Sequence, residues 1–408
     1  MYYVRLNHLL LALGLVPALS AVAADAGWNG GIDFTVEAAG ALQGAAQRGD
    51  AFLGLVLGHV SWEEAATANS RWHWRAYASV LALEGHGPTK RFLGDFLGAS
   101  NMEGFNSTRL YAWWFEVRRD DWSLRGGALL ADEEFATTEG GGYFLNSAFG
   151  WPAGISANTK NTGPAYCIAA LGLRLERRFG EATAWRLGVY DGDSFDSCTG
   201  DPQINRYGWH YELGGAQGWF VVNEVTWAPA ASANRFAAGV WLHTANFADV
   251  RDDASGCPFA ITGAAPREHP SNYGTYVIGE RTLRGKSGEA GYATAFLRLG
   301  FAPSDRNTIG WALDTGIAAT GLLPGRPADI ATLGVAHAAF SSDFAANTRA
   351  RDPSLPAPDF EQVIEAGYTV VLSAHLTLTP DLQYIRHPGG CAGPSDAIAF
   401  LLRFKASY

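Results

Sequence analysis

The chain has 408 residues and a formal net charge of −10 at pH 7. Hydrophobic residues make up 48% of it and charged residues only 17%, against about 25% charged in average globular proteins. The acidic balance argues against nucleic acid as a partner, and the apolar content argues against disorder. The 49 glycines exceed what helix caps and turns need, which argues against a helical protein.

The chain begins with the pattern of a secretory signal peptide. A short basic region precedes an apolar run from Leu9 to Leu19, and Ala21–Ala23 provides the small-x-small pattern of a cleavage site. The run is shorter than the roughly 20 apolar residues of a transmembrane helix, although a buried N-terminal helix is the simpler alternative. We therefore predict that residues 1–23 are a signal peptide and that residues 24–408 form a single exported domain.

Downstream of this leader, the sequence contains no stretch that reads as a transmembrane helix. Low charge, abundant glycine and 14 tryptophans are typical of a transmembrane β-barrel, whose strands alternate lipid-facing and lumen-facing residues. A large secreted β-sandwich or solenoid is the rival class. We predict an all-β fold: an antiparallel barrel in the bacterial outer membrane.

Alternation of apolar and polar residues predicts sixteen strands, an even number as a bacterial single-chain barrel requires. In chain order, these strands are residues 31–44, 51–63, 71–84, 107–118, 122–132, 166–177, 184–191, 217–228, 235–247, 274–284, 291–302, 308–320, 331–341, 366–376, 382–386 and 397–408. The last strand alternates over its whole length and ends on the aromatic Tyr408, a signal that the barrel-assembly machinery of the outer membrane recognises.

The predicted connections alternate between short and long, which places the long ones on the outer side. Thr379-Pro380-Asp381 is predicted to be a tight periplasmic turn. Aromatic residues cluster at the other predicted periplasmic ends, as in the lower girdle of a barrel; they are Trp62, Trp72, Trp122, Trp185, Trp227 and Phe236. In a soluble sandwich, tryptophans would have no reason to cluster at alternate turns.

The third outer loop, Asp132–Pro164, is long enough to suggest a function. We expect it to fold inward and constrict the pore; an ordinary surface loop is the alternative. Its candidate solute-contacting residues are Asp132, Glu133, Glu134 and Asn146.

Strand alternation also predicts charged residues that point into the lumen. They are Arg75, Glu116, Arg125, Arg174, Arg186, Glu224 and Arg298. An Arg or Lys on the lipid face near the midplane costs about 2–4 kcal/mol, so inward placement is expected whatever the function. The simple interpretation is that these residues wet the lumen and pair with each other; the functional one is that they offer fixed donors and acceptors to solutes. No one-sided run of Arg or Lys is evident, so we expect a pore of mixed sign.

All four cysteines fall on the predicted outer side, in an oxidising compartment. Four cysteines allow three pairings; we expect two disulfides, with Cys198–Cys257 favoured because their loops follow nearby strands. The spacing fits no zinc site, so no metal or other cofactor is expected. Without a nucleophile elbow or zinc motif an enzyme is not expected either; an outer-membrane hydrolase and a plugged structural or adhesive barrel are the distant alternatives.

An ordered series of stretches resembles the OprB-type carbohydrate-selective porin family. The stretches are Leu110–Glu116, Leu124–Gly127, Ala131–Phe135, Phe144–Pro152, Gly163–Tyr166, Gly188–Asp193, Pro303–Asn307, Gly321–Arg326, Pro380–Ile385 and Pro388–Gly390. The chain departs from the family at Cys167, where proline is expected, and at Cys198.

The resemblance implies a sixteen-stranded barrel that admits glucose and other sugars by passive diffusion without a cofactor. The expected partners are therefore small solutes and outer-membrane lipid. A porin for amino acids, organic acids or aromatic acids is the nearest alternative. Lipid-facing and subunit-facing positions are both apolar, so the pattern is compatible with a monomer or an oligomer.

Overall fold

A computed structural model describes residues 27–408, except residues 45, 48, 66–70, 231, 355 and 392–394. The predicted leader, residues 1–23, lies outside the described residues. Sixteen antiparallel strands form a closed barrel, and a separate two-stranded hairpin lies in one connection. Over the described part of the chain, no helix has the length and apolarity needed to cross a membrane.

The strands are β1 (Trp28–Gln43), β2 (Asp50–Glu63), β3 (His73–His86), β4 (Ser107–Arg119), β5 (Trp122–Leu129), β6 (Ala170–Phe179), β7 (Thr183–Asp191), β8 (Trp219–Trp227), β9 (Asn234–His243), β10 (Phe247–Asp253), β11 (Pro266–His269), β12 (Asn272–Arg284), β13 (Ala293–Phe301), β14 (Ile309–Thr320), β15 (Ile330–Phe340), β16 (Phe360–Ser373), β17 (Leu376–Arg386) and β18 (Ala397–Ser407). Strands β10 and β11 make the hairpin, and the other sixteen make the barrel.

Short helices lie in the connections. The α-helices are Ser147–Gly150, Ala153–Ser156, Phe259–Thr262 and Ser342–Arg351. The 3-10 helices are Ala131–Glu133, Gly140–Tyr143, Lys160–Thr162, Gly215–Gln217 and Pro388–Gly390, and Thr89–Leu93 is a π-helical turn.

The first and last barrel strands close the sheet. Asp33 of β1 pairs with Leu57 of β2 on one side and with Ser407 of β18 on the other. The backbone N–H of Tyr408 continues the seam by donating to the Ile32 carbonyl at 3.0 Å. Closure removes exposed strand edges, so the backbone groups of the wall are satisfied within the sheet, as a lipid environment requires.

Several predicted boundaries are wrong by three residues or more; β16, for example, begins at Phe360 rather than at residue 366, and β9 ends at His243 rather than at residue 247. Strand β5 ends at Leu129 rather than at residue 132, and β6 begins at Ala170 rather than at residue 166. Thr379–Asp381 lies inside β17, and the turn is at residues 374–375. Pro380 faces Leu402 of β18, and the pairing of β17 with β16 is interrupted at Thr379 and Pro380, where proline has no N–H to donate.

The longest connections lie on one rim of the barrel, although the outer links at residues 44–49 and 302–308 are short. The links at residues 120–121 and 374–375 are short, whereas those at 130–169, 192–218 and 244–271 on the opposite rim are long. The termini of the described chain lie on the short-loop rim, which is therefore the periplasmic one. Aromatic pairs line this rim as expected: the ring centroids of Trp28 and Trp62 are 6.5 Å apart, and those of Trp227 and Phe236 are 5.9 Å apart.

The buried apolar core lies inside the barrel, between the wall and residues 130–169, which we call the constriction loop. Phe144 of this loop stacks on Phe149 with ring centroids 4.2 Å apart and meets Phe296 of β13 edge-on. A Cβ atom on Gly316 or Gly334 of the wall would come within 2.8 or 2.6 Å of the Phe144 ring. Glycine on these strands thus makes room for the loop to pack inside the lumen.

The predicted disulfide is wrong in this structure, because all four cysteines are free. Cys198 and Cys257 are both exposed, in separate outer loops. Cys257 lies at the β10–β11 hairpin, where its carbonyl accepts the Asp253 N–H at 2.8 Å. Cys167, expected to begin a strand, is instead buried in the constriction loop, three residues before β6.

Candidate functional site

The constriction loop leaves the barrel wall between β5 and β6 and is fastened to the opposite side of the barrel. The Glu365 carboxylate of β16 accepts the backbone N–H groups of Leu145 at 2.6 Å and Asn146 at 3.0 Å. The Asn146 side chain donates to Gln383 of β17 at 3.1 Å, and its oxygen caps the next helix through the Ala148 N–H. Asn146 is fully buried. The structure therefore places Asn146 as an anchor of the loop.

Arg298 of β13 holds the same loop through its carbonyl groups. Its guanidinium donates to the carbonyl oxygens of Ala136 at 2.5 Å, Ala148 at 2.6 Å and Gly150 at 2.9 Å, and it pairs with Asp314 at 2.9 Å. Only 1% of its side chain is exposed. Arg298 points inward, as predicted, but loop backbone occupies its donors.

Glu224 of β8 is a third anchor. Its fully buried carboxylate accepts the Ala136 N–H at 2.9 Å and the Tyr276 hydroxyl at 2.8 Å. Arg186 of β7 lies 3.7 Å from it. Together, the three anchors cross-link the loop to strands on both sides of the lumen.

Five of the predicted residues form one charged network on the wall strands β3 to β6 and the start of the loop. Glu116 is fully buried and pairs with Arg125 at 2.7 Å and Arg174 at 2.6 Å. Arg75 is 3.8 Å from the same carboxylate. Glu134 of the loop pairs with Arg125 at 3.1 Å and Arg174 at 2.9 Å, which ties the loop to the wall.

The guanidinium of Arg125 has a further support. It lies 3.9 Å from the ring centroid of Trp114, within cation–π range. Tyr77 stacks on the same indole at 5.4 Å. Because Trp114 is only 9% exposed, it positions Arg125 and offers the channel little free ring surface.

Asp132 and Glu133 begin the loop and differ from the other acids. Asp132 accepts the Tyr166 N–H at 2.9 Å, and burial raises its pKa to about 6. Glu133 is exposed at the channel edge, yet partial loss of its water shell, reinforced by the Asp132 charge, raises its pKa to about 7. These two carboxyl groups therefore titrate near neutral pH.

Sequence reasoning missed several residues of this site. Arg118 also contacts Glu116. Arg178 pairs with Glu176, which it shares with Arg186, and Glu365 anchors the loop. The alternation in β16 carried the signal for Glu365, because Ala366 and its apolar partners lie on the other face. Nothing in the local pattern indicated that this carboxylate would bind loop backbone.

The charges of the lumen are of mixed sign, but the two signs differ in exposure at some of the pairs. In two of these pairs, the arginine is much more exposed than its acid: 40% of the Arg118 side chain is exposed against 0% for Glu116, and 62% of Arg178 against 10% for Glu176. The order is reversed at Glu134, which is 17% exposed against 12% for Arg125 and 2% for Arg174. Arginine has the longer stem, so its guanidinium extends into the water while the shorter carboxylate stays at the wall. At Arg118 and Arg178, cationic groups therefore face the channel.

The chain matches one protein family and a known porin in sequence. The family model "Carbohydrate-selective porin, OprB family" matches residues 59–408. Porin B of Pseudomonas aeruginosa is 26% identical over 257 residues, a match that spans 59% of this chain and about half of that relative, 55%.

Solved structures show the same fold at low identity. The high-pH structure of Pseudomonas putida OprB superposes with a TM-score of 0.82 at 19% identity and covers 94% of each chain. The outer-membrane channel DcaP of Acinetobacter baumannii gives a TM-score of 0.57 at 12% identity, covering 95% of this chain and 99% of that one. The sixteen-stranded antiparallel barrel predicted from the sequence is thus confirmed.

Proposed function

This chain belongs to the OprB family of carbohydrate-selective porins, and we propose that it lets small carbohydrates diffuse passively across the bacterial outer membrane into the periplasm. The observation that carries the proposal is a barrel lumen narrowed by an anchored loop whose free edge meets a wall of charged side chains. A sugar that enters this zone must shed part of its water. Fixed donors and acceptors replace those hydrogen bonds without the cost of reorganising.

The predicted residues divide into two roles. We propose that Arg75, Arg125, Arg186 and Glu133 contact solutes, because part of each faces the channel. The others position the loop or the exposed arginines; they are Glu116, Asp132, Glu134, Asn146, Arg174, Glu224 and Arg298. Contacts made by exposed groups are weak, which suits a channel since a tight site would hold the solute.

Membership in a porin family supports the role of a channel. We propose that it has no hydrolytic activity, and detergent-purified protein incubated with phospholipid and ester substrates tests this. We also propose that residues 1–23 are cleaved on export and that β18 is recognised by the barrel-assembly machinery. N-terminal sequencing of the purified protein tests the cleavage.

The decisive experiment is liposome swelling with sugars, amino acids and organic acids at equal osmolarity. We expect the fastest swelling with monosaccharides, and an unboiled sample that migrates differently from a boiled one on a denaturing gel, since a closed barrel has no edge from which to unravel. Faster swelling with amino acids or aromatic acids would contradict the sugar assignment. A folded barrel without conductance would indicate a plugged structural protein.

A further inference from the structure

The wall from β3 to β7 presents guanidinium groups to the channel and keeps its acids behind them. Among the described residues, six arginines pair with five carboxylates, and apart from Glu63, which is 64% exposed, none of these acids is more than 17% exposed. The arginines are Arg75, Arg118, Arg125, Arg174, Arg178 and Arg186, and the acids are Glu63, Glu116, Glu134, Glu176 and Glu224. The network therefore carries surplus positive charge on its wet side.

Three acids on the rest of the wall are withdrawn from the channel and anchor loops. Glu361 of β16 is fully buried and accepts the N–H groups of Phe96 and Leu97, each at 2.7 Å. Glu365 binds the constriction loop in the same way, and Glu280 of β12 accepts the Glu139 N–H at 2.6 Å. Backbone N–H groups need acceptors, which carboxylates supply and arginines do not.

The exposed acids near this surface do not cancel it. Glu63 lies 3.8 Å from Arg75, and Asp33 is 3.2 Å from Lys405, whose side chain is 45% exposed. Glu133 is partly protonated at neutral pH, since partial loss of its water shell, reinforced by the Asp132 charge, raises its pKa to about 7. Glu139 is exposed but accepts a hydrogen bond from Ser287 at the periplasmic end of the barrel.

We propose that the channel favours monosaccharides that carry a carboxylate, such as uronic or aldonic acids, over cationic sugars of the same size. This inference rests on the proposed function and narrows its solute class. A guanidinium fork matches a carboxylate in geometry and charge, and a surface of one sign raises the local concentration of the opposite ion. Because Arg118 and Arg178 remain exposed, these contacts are weak enough for release.

The test uses the full chain in planar bilayers and two probes with the same pyranose ring. Reversal potentials are measured with potassium glucuronate against potassium chloride, and with glucosamine hydrochloride against potassium chloride, at a mildly acidic pH where both sugars are charged. We expect glucuronate to be more permeant than glucosaminium by about fivefold or more, because the exposed arginines attract one and repel the other. Liposome swelling with glucose is measured on the same preparation.

The matched variants differ in which side of the wall they change. Arg118→Gln with Arg178→Gln removes the two most exposed lumen arginines of the network, and the permeability ratio should fall at least about twofold. Arg119→Gln with Arg177→Gln removes neighbouring arginines that pack on outward-facing Trp72 and Trp122, and the ratio should not change. Heat-modifiable migration identifies folded barrels, and Arg178→Gln alone serves if the double variant does not fold.

Equal permeability of the two probes, or a preference for glucosaminium, overturns the inference. If glucose still enters the liposomes in that case, the proposed function stands. An unchanged ratio in the folded Arg118/Arg178 variant overturns the assignment to these arginines. A folded barrel that excludes glucose overturns the proposed function itself.

Discussion

The carboxylate of Glu365 accepts the backbone N–H of Asn146 at 3.0 Å, and these two residues belong to opposite sides of the barrel. Asn146 is carried by the loop between β5 and β6, whereas β16 lies about halfway round the strand order. A single wall carboxylate thus holds the middle of the constriction loop across the lumen. The loop itself contains only short helical turns, so we expect pore width to depend on such anchors.

Replacing Glu365 with Gln should loosen the constriction loop. The side-chain oxygen of glutamine can still accept one of the two backbone N–H groups. The glutamine NH₂ group then faces the other N–H, which is left without an acceptor at a cost of about 1–3 kcal/mol. We expect higher single-channel conductance and less discrimination among sugars. Glu268→Gln, at an exposed position of the β10–β11 hairpin, is the matched control. Conductance equal to that of the parent would show that the anchor does not set the pore width.

Arg174 and Arg186 should respond differently to replacement by Ala. The Arg174 side chain is 2% exposed, and its removal leaves buried Glu116 without one of its partners. Breaking a buried pair in this way costs about 3–5 kcal/mol, so we expect a lower free energy of unfolding in urea titrations. Arg186 is 24% exposed, so Arg186→Ala should stay folded and conduct more ions. Equal destabilisation by both substitutions would contradict the division into positioning and solute-contacting residues.

Charge selectivity should depend on pH near neutrality. The pKa of Asp132 is raised to about 6 and that of Glu133 to about 7, so both groups are neutral below this window and negative above it. Anion preference, measured as the reversal potential in a potassium chloride gradient, should therefore fall as the pH rises through it. Glu133→Gln should remove the upper part of this change. A pH profile that Glu133→Gln leaves unaltered would assign the titration to other groups.

Thiol labelling should separate the four cysteines without prior reduction. Cys198 and Cys257 are exposed free thiols and should react readily with a maleimide, whereas Cys167 is 8% exposed and should react only after unfolding. Mass spectrometry of the labelled protein gives the count. Labelling of Cys198 and Cys257 that appears only after reduction would show that they form the disulfide after all.

Strand alternation in the sequence determined the barrel. Period-two patterning and alternating connection lengths placed sixteen strands, their orientation and the inward side of residues such as Arg125 and Glu116. These features are local because successive side chains of a strand must point to opposite faces, and lipid penalises a charge on the wrong one. The error at Thr379–Asp381 arose because proline followed by aspartate is typical of a turn, whereas here the two residues lie inside a strand.

Only the tertiary structure decided what the inward residues do. Glu365, Arg298 and Asn146 meet only when the constriction loop crosses the lumen, through contacts that span some 150 to 220 positions of the chain. The sequence counts Arg178 and Glu176 as one charge of each sign, but the fold buries the acid and exposes the base. The sequence determined whether each side chain points to the lumen or to lipid, because that direction follows from alternation within its own strand. The exposure of a side chain and its pairing depend on distant strands and on the constriction loop, which only the closed barrel brings together.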